Sequence, residues 1–112
     1  MMRFLQNLKP VMLIEYLPMA VSDLHDMGDH YRKVGGNKLA RRMVGGVKSE
    51  ILVLRDFPEL PPTYELAPGV RRLVVAGGAF LVFYRLRDNI EVLHIRRAER
   101  EPVAADDLEK FI

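Results

Sequence analysis

The stretch 70–97, VRRLVVAGGAFLVFYRLRDNIEVLHIRR, constrains the fold most strongly. It contains three short runs rich in Val, Ile, Leu, Phe and Tyr, separated by Gly77-Gly78 and by Asp88-Asn89. Such pairs are typical of two-residue hairpin turns, because glycine, asparagine and aspartate tolerate the backbone angles that these turns require. The pattern therefore predicts a three-stranded antiparallel meander.

Counting outward from two-residue loops gives the register of the meander, and alternate side chains then lie on opposite faces of the sheet. One face is almost entirely apolar and is predicted to be core: Leu73, Val75, Phe80, Val82, Tyr84, Leu86, Leu93 and Ile95. The other, the predicted basic face, mixes apolar residues with bases: Arg72, Val74, Leu81, Phe83, Arg85, Arg87, Val92, His94 and Arg96. In this register Phe83 lies between Arg72 and His94. We interpret the basic face as a surface that meets an anionic partner.

The residues before the meander predict one strand and two helices. Residues 11–17 favour a strand, and Pro18 both ends it and suits the first turn of a helix. Apolar residues then recur every three or four positions on either side of Gly35-Gly36, as on one face of a helix. They are Ala20, Leu24, Met27 and Tyr31 before the glycines, and Ala40, Val44, Val47, Ile51 and Leu54 after them. Two antiparallel helices joined by a short loop follow from this spacing.

The predicted order is strand, helix, helix, three strands and a short C-terminal helix at 104–111. Gly45-Gly46 weakens the second helix, so the pair predicts either close helix packing or a bend. The proline-rich residues 56–69 predict an ordered, irregular connection to the meander. Helices on one face of a mostly antiparallel sheet make an α+β fold. We expect one domain over 1–112, with 1–10 as a possible N-terminal extension.

Composition limits the cellular compartments and the kinds of side-chain chemistry to be considered for this chain. The chain has 112 residues, a net charge of +2 and no cysteine, which excludes disulfides and thiolate chemistry. The apolar run at 11–14 ends at Glu15 and is too short for an export signal or a membrane span. We expect a soluble, cytoplasmic protein. Arginine is dense in the meander, so local basicity carries more information than net charge.

Three segments together resemble the RelE/ParE superfamily of toxins from bacterial type II toxin–antitoxin systems. IEYLPMAVSDLHDM is similar to the family's first strand and the start of its helix, and LVLRDFPELPP to the end of its second helix and a proline-rich turn. PGVRRLVVAGGAFLVFYRLRDNIEVLHIRRAERE is similar to its strand with Arg, glycine turn, strand ending in Tyr-Arg, acidic turn and final strand. The resemblance covers about residues 11–101.

The resemblance implies one of two activities. Toxins of the RelE branch cut messenger RNA on the ribosome with Lys and Arg around the phosphate and a Tyr, or a Glu and a His, in proton transfer. Toxins of the ParE branch inhibit DNA gyrase without such a catalytic set. Here His94, with Arg72 and Arg85 to hold phosphate, is the only constellation of the first kind. No Tyr or His follows His94 and the meander contains no lysine, so we predict no catalytic residues and favour the ParE branch.

The same arginines are then predicted to bind the target or the antitoxin. This predicted binding set comprises Arg71, Arg72, Arg85, Arg87, His94, Arg96, Arg97 and Arg100. Tyr84 lies on the core face, where we expect a buried ring with a hydrogen-bonded hydroxyl. His25 and His30 lie on opposing sides of a helix, which makes metal binding improbable, and no cofactor is expected.

The expected partners are DNA gyrase and a ParD-like antitoxin in a hetero-oligomeric complex, with no membrane and no direct DNA binding by the toxin alone. We expect the antitoxin to lay an amphipathic helix in a groove near the helical hairpin, lined by Met19, Met27, Met43 and Val53. Three alternatives stay open: a RelE-like ribosome-dependent mRNA endonuclease, a non-toxic binding module on the same fold, and an unrelated α+β module.

Overall fold

The computed structural model describes residues 12–99, and its elements follow the predicted order. The strands are β1 (Ile14–Tyr16), β2 (Val70–Val75), β3 (Phe80–Leu86) and β4 (Ile90–Arg97). A helical segment spans Pro18–Leu52 and continues into a short 3-10 turn at Val53–Arg55. The predicted extension at 1–10, Arg100 and the helix at 104–111 lie outside the described residues.

The helical segment is two helices. Gly35 and Gly36 leave helical geometry, with φ angles of −146° and 84°, and divide it into α1 (18–34) and α2 (37–52). The two helices lie against each other at Gly28, where an added Cβ would stand 3.7 Å from Cγ2 of Val44. The predicted helical hairpin is therefore confirmed, and Gly36 supplies the positive φ that its bend requires.

Gly45 and Gly46 do not serve the roles that the sequence suggested. Both are exposed, keep helical geometry, and have open space where a Cβ would be. Neither close packing nor a bend explains the pair, so that expectation was wrong. The close approach of the two helices occurs at Gly28 instead.

The sheet has four strands in the order β1-β4-β3-β2. β1 is parallel to β4, and the other pairs are antiparallel, so β1 and β2 form the edges. The hairpin covers one face and buries a continuous apolar core with it: Ala20, Leu24, Met27, Val47, Ile51, Leu54, Val75, Phe80, Val82, Tyr84, Ile90, Val92 and Ile95. We call the opposite side of the sheet the outer face.

The predicted register is right in the first hairpin and wrong at the second turn. Phe83 does pair with both Arg72 and His94. The second turn, however, contains three residues, because Leu86 pairs with Ile90, and a bulge at Leu93 restores the register beyond it.

The bulge exchanges two side chains between the faces. Val92, which was predicted on the basic face, lies in the core under the helices. Leu93, which was predicted in the core, packs on the outer face with Phe83. The shorter register also places Glu91 opposite Arg85, so an acid enters the face that was predicted to be basic.

The connection between α2 and β2 is ordered and irregular, as predicted, and wraps around the edge of β2. Thr63 forms a bridge with Arg71, and the backbone N–H of Tyr64 donates to the carbonyl of Val70 over 2.7 Å. Tyr64 then packs edge-on against Phe83 on the outer face. Phe83 is only 1% exposed, so part of the predicted basic face is a second, smaller core. Within residues 12–99, no helix is both long enough and apolar enough to cross a membrane.

Candidate functional site

The row Arg72, Phe83 and His94 lies across the middle of the outer face. The guanidinium carbon of Arg72 stands 5.8 Å from the centre of the Tyr64 ring, and the His94 ring stacks on Phe83 with centroids 6.2 Å apart. A cation over an aromatic face is held by the ring quadrupole. The predicted register placed these three residues side by side correctly. Their side chains, however, pack against neighbours and are only partly accessible to solvent.

Two further arginines of the predicted binding set lie beside a single acidic residue. The Arg85 guanidinium forms a close ion pair with Glu91, and both side chains are largely buried. Nε of Arg87 lies 3.9 Å from the same carboxylate, with its side chain mostly exposed. Because Glu91 neutralises much of this charge, the end of the outer face near the second turn is less basic than the sequence predicted.

His94 is held by an acid from α1. Its Nδ1 lies 2.7 Å from Oδ2 of Asp23, and the same oxygen accepts the backbone N–H of Ile95 over 2.9 Å. Both side chains of the pair are about 15% exposed. Asp23 therefore joins α1 to β4 and orients the imidazole at the same time.

A cleft of about 420 Å³ opens between α1 and the end of β4. We call it the edge cleft; its lining residues include Met27, His30, Tyr31, Phe80, Arg96 and Arg97. Nη2 of Arg97 lies 2.9 Å from Nε2 of His30, and Arg97 Nη1 is 3.8 Å from Glu99. An arginine can only donate, so His30 accepts through Nε2 in this arrangement. Arg96 and Arg97 are the predicted cations that face the cleft.

Arg71 is bound to the proline-rich connection. Its Nη1 donates to the carbonyls of Glu59 and Pro61 at 2.9 and 2.7 Å, which fixes the proline-rich connection on β2. Beside it, the hydroxyl of Tyr84 donates to the carbonyl of Pro58 over 2.7 Å. Burial raises the pKa of Tyr84 to about 12, and the positive charge of Arg71 opposes this only in part. The buried, hydrogen-bonded role predicted for Tyr84 is confirmed.

The arrangement is suited to binding more than to phosphodiester cleavage. Acid–base cleavage requires a proton-transfer group beside cations that contact the phosphate. Arg85, which was the predicted phosphate ligand on β3, is bound to Glu91 instead. Among residues 12–99, no group of three or more His, Asp or Glu side chains is arranged to hold a metal ion.

Sequence reasoning missed the acids that position these cations. Asp23 falls three positions after Ala20 and four before Met27, within the core-facing stripe of α1. An acid in an apolar stripe is a signal of a partner, since a half-buried carboxylate requires one. Glu91 carried no such signal, because its position opposite Arg85 depends on the three-residue turn.

The predicted methionine groove does not form as a unit. Met27 is 5% exposed and belongs to the core between the hairpin and the sheet. Met19 and Met43 are half-buried, and Val53 is exposed at the end of α2. A groove for an antitoxin helix therefore cannot use all four side chains.

Comparison with known proteins identifies relatives of this chain. The profile of a family described as "ParE toxin of type II toxin-antitoxin system, parDE" matches residues 14–102. A solved structure of the chromosomal ParDE toxin–antitoxin system from P. aeruginosa is similar, with 25% identity and a TM-score of 0.72. The match covers 80% of this chain and 98% of that one. No curated protein sequence matches the chain significantly.

Proposed function

Because this chain belongs to the ParE toxin family of type II toxin–antitoxin systems, we propose that it inhibits DNA gyrase and that a cognate antitoxin neutralises it. The sequence features of the ParE branch, chiefly the missing tyrosine after His94 and the absence of lysine from the meander, support this choice. Gyrase acts in the cytoplasm, which is the compartment that we propose for the toxin. The antitoxin holds it there in a hetero-oligomeric complex, and the toxin alone does not bind DNA directly.

One structural observation carries the proposal: the histidine of the outer face is used in internal contacts. His94 binds Asp23 through Nδ1 and stacks on Phe83. The arginines around it are likewise held by neighbours, as Arg85 is by Glu91 and Arg72 by the Tyr64 ring. Such fixed cations and rings make a rigid binding surface, because less side-chain entropy is lost when a partner binds.

A second candidate, an mRNA endonuclease, rests on the contact between His94 and Asp23 alone. A carboxylate that orients an imidazole through Nδ1 is an arrangement found in general bases. In such an enzyme the Asp23–His94 pair moves the proton, and Arg96 contacts the phosphate. A variant that keeps the contact but cannot titrate separates the two candidates.

His94→Asn is that variant, since its side-chain amide can donate to Asp23 as Nδ1 does. Wild type and variant are induced without antitoxin, and plasmid topology and mRNA ends are measured. Gyrase inhibition predicts relaxed plasmid and arrested growth with both proteins. Cleavage within codons by the wild type, lost in the variant, would establish the nuclease instead. Normal growth with intact plasmid supercoiling would support a non-toxic binding module.

A further inference from the structure

The solvent-facing side of α2 carries three cations, Lys38, Arg41 and Arg42, which we call the α2 cations. All three are exposed, and their spacings of three and four positions place them on one side of the helix. Within residues 12–99, no ion pair, hydrogen bond or ring contact joins them to another side chain. The sequence from 37 to 49 also contains no acid that could neutralise them.

The stability of α2 does not explain these cations. They occupy the first two turns of the helix, where the helix dipole is positive and acidic side chains would be favourable. Like charges three and four positions apart also repel each other. Gly45 and Gly46 follow on the exposed surface and weaken the helix further, although an alanine Cβ would meet open space there. No contact within residues 12–99 compensates for this arrangement, so a partner outside the chain is the better explanation.

The end of the hairpin that carries the α2 cations extends beyond the apolar core. Residues 32–43 contribute no side chain to either core of the described structure. The larger core ends at Tyr31 on α1 and at Val44 on α2. The cations therefore lie on a projecting part of the molecule, which can reach a surface beside the one that the rest of the toxin contacts.

The composition of this side of α2 suits a phosphate backbone better than a protein surface. Its exposed residues are Asn37, Lys38, Arg41, Arg42, Gly45, Gly46, Lys48 and Ser49. They include no aromatic or large aliphatic side chain, whereas the centre of a protein interface is rich in such side chains and poor in charges. Lysine, arginine, asparagine and serine are residues that contact phosphate oxygens in protein–DNA complexes. DNA is the substrate of gyrase, so a phosphate backbone lies beside the proposed target.

We propose that the α2 cations contact the phosphate backbone of the DNA that gyrase holds. Lys38, Arg41 and Arg42 form ion pairs with phosphate oxygens and read no base sequence, while other surfaces of the toxin contact gyrase itself. The inference rests on the proposed inhibition of gyrase, and it adds DNA as a second contact of the bound toxin.

The α2 cations are too few to hold DNA by themselves. The net charge of the chain is only +2, and weak non-specific binding has a dissociation constant of about 0.1 mM. Once the toxin is bound to gyrase, the contact with DNA is intramolecular, with an effective concentration of about 1 mM. The ratio of these two values predicts that DNA strengthens the binding of the toxin to gyrase about tenfold. We call this strengthening the DNA gain.

Fluorescence anisotropy of the full chain, labelled at its N-terminus, measures the dissociation constants for gyrase alone and for gyrase on a linear DNA fragment. A triple variant with Lys38→Gln, Arg41→Gln and Arg42→Gln should lose the DNA gain and keep the affinity for gyrase alone. Glutamine is a good helix former and removes the repulsion between the cations, so this variant should melt no lower than the wild type. Arg55→Gln is the control, because Arg55 is an exposed cation just beyond the opposite end of α2.

The salt dependence of the DNA gain provides a second readout. Each phosphate contact contributes about −0.9 to the slope of the logarithm of the association constant against the logarithm of salt concentration. Where the gain is large, its slope should be about −2.7 for the wild type and about −1.8 for Arg42→Gln. Arg55→Gln should keep the slope of the wild type.

Three results would overturn this inference alone. DNA could leave the affinity of the wild type for gyrase unchanged, or the triple variant could keep the DNA gain. The triple variant could also bind gyrase alone more weakly, by the same factor as it binds the DNA complex, which would assign the α2 cations to an acidic surface of gyrase. If the wild type neither binds nor inhibits gyrase, with or without DNA, the proposed function fails and this inference fails with it.

Discussion

The Asp23 carboxylate binds the backbone N–H of Ile95, with Oδ2 2.9 Å from the amide nitrogen, on the part of β4 that β1 does not reach. The same oxygen holds Nδ1 of His94 at 2.7 Å. A helix side chain thus takes over a hydrogen bond that a neighbouring strand would otherwise make. This contact also blocks one position of an otherwise available sheet edge, a known protection against unwanted pairing.

Asp23→Ala should destabilise the fold by about 1–3 kcal/mol, because it leaves two half-buried donors without their acceptor. Asp26→Ala is the matched control: Asp26 is an exposed acid on the same helix and the same cleft, and its loss should change stability by less than about 0.5 kcal/mol. Urea denaturation followed by circular dichroism measures both. Equal midpoints for the two variants would show that the Asp23 contacts do not stabilise the fold.

The raised pKa of Tyr84 predicts that the fold loses stability at high pH. Burial raises its pKa to about 12 from 10.0, so between these values the folded state keeps a proton that the unfolded state releases. The contribution is complete below pH 10 and is lost as pH rises to about 12, with a magnitude on the order of 2 kcal/mol.

Tyr84→Phe removes this titration and the hydrogen bond to Pro58. The variant should be less stable than wild type by about 1 kcal/mol at neutral pH, and the difference should narrow above pH 10. Free energies of unfolding at several pH values from 8 to 12 measure the effect. Parallel curves for the two proteins would refute the assigned linkage.

Gly45→Ala and Gly46→Ala should each stabilise the chain by about 0.5–1 kcal/mol, because both residues are helical and an added Cβ meets open space. Gly36→Ala is the contrasting change: its surroundings are also open, but its φ of 84° should make alanine destabilising by about 1 kcal/mol or more. Thermal unfolding distinguishes the signs. A lower melting temperature for Gly45→Ala would contradict the helical assignment.

Arg71→Met should loosen the proline-rich connection, since Nη1 of Arg71 donates to two of its carbonyls. Glu59 is exposed in this connection, and the Glu59–Leu60 bond offers a site for a glutamate-specific protease. We expect cleavage after Glu59 to accelerate several-fold, while Arg87→Met, at an exposed arginine on the second turn, leaves the rate unchanged. Equal cleavage rates in both variants would remove Arg71 from this role.

Much of the fold could be predicted from short, local patterns in the sequence. Gly35-Gly36 separates two apolar stripes of helical spacing, and that break became the bend of the hairpin. The paired glycines at 77–78 set the register that places Arg72 opposite Phe83. In both cases the glycine pair that carries the signal in the sequence also sets the backbone geometry in the structure.

The sequence-based predictions were wrong where a local pattern was compatible with more than one geometry. Asp88-Asn89 permits a two-residue or a three-residue turn, and the bulge at Leu93 follows from the longer one. A one-residue shift moved Glu91 beside Arg85 and so neutralised part of the predicted basic face. The contacts of Asp23 span more than 70 positions of sequence, and only packing of α1 against β4 reveals them.

The most direct measurement of the central claim is a supercoiling assay with purified DNA gyrase, relaxed plasmid and the purified toxin. If the protein acts as a gyrase inhibitor, supercoiling should stop at toxin concentrations comparable to that of gyrase, and adding the antitoxin should restore it. Full supercoiling activity at a large excess of folded toxin, without trapped cleaved DNA, would contradict the account.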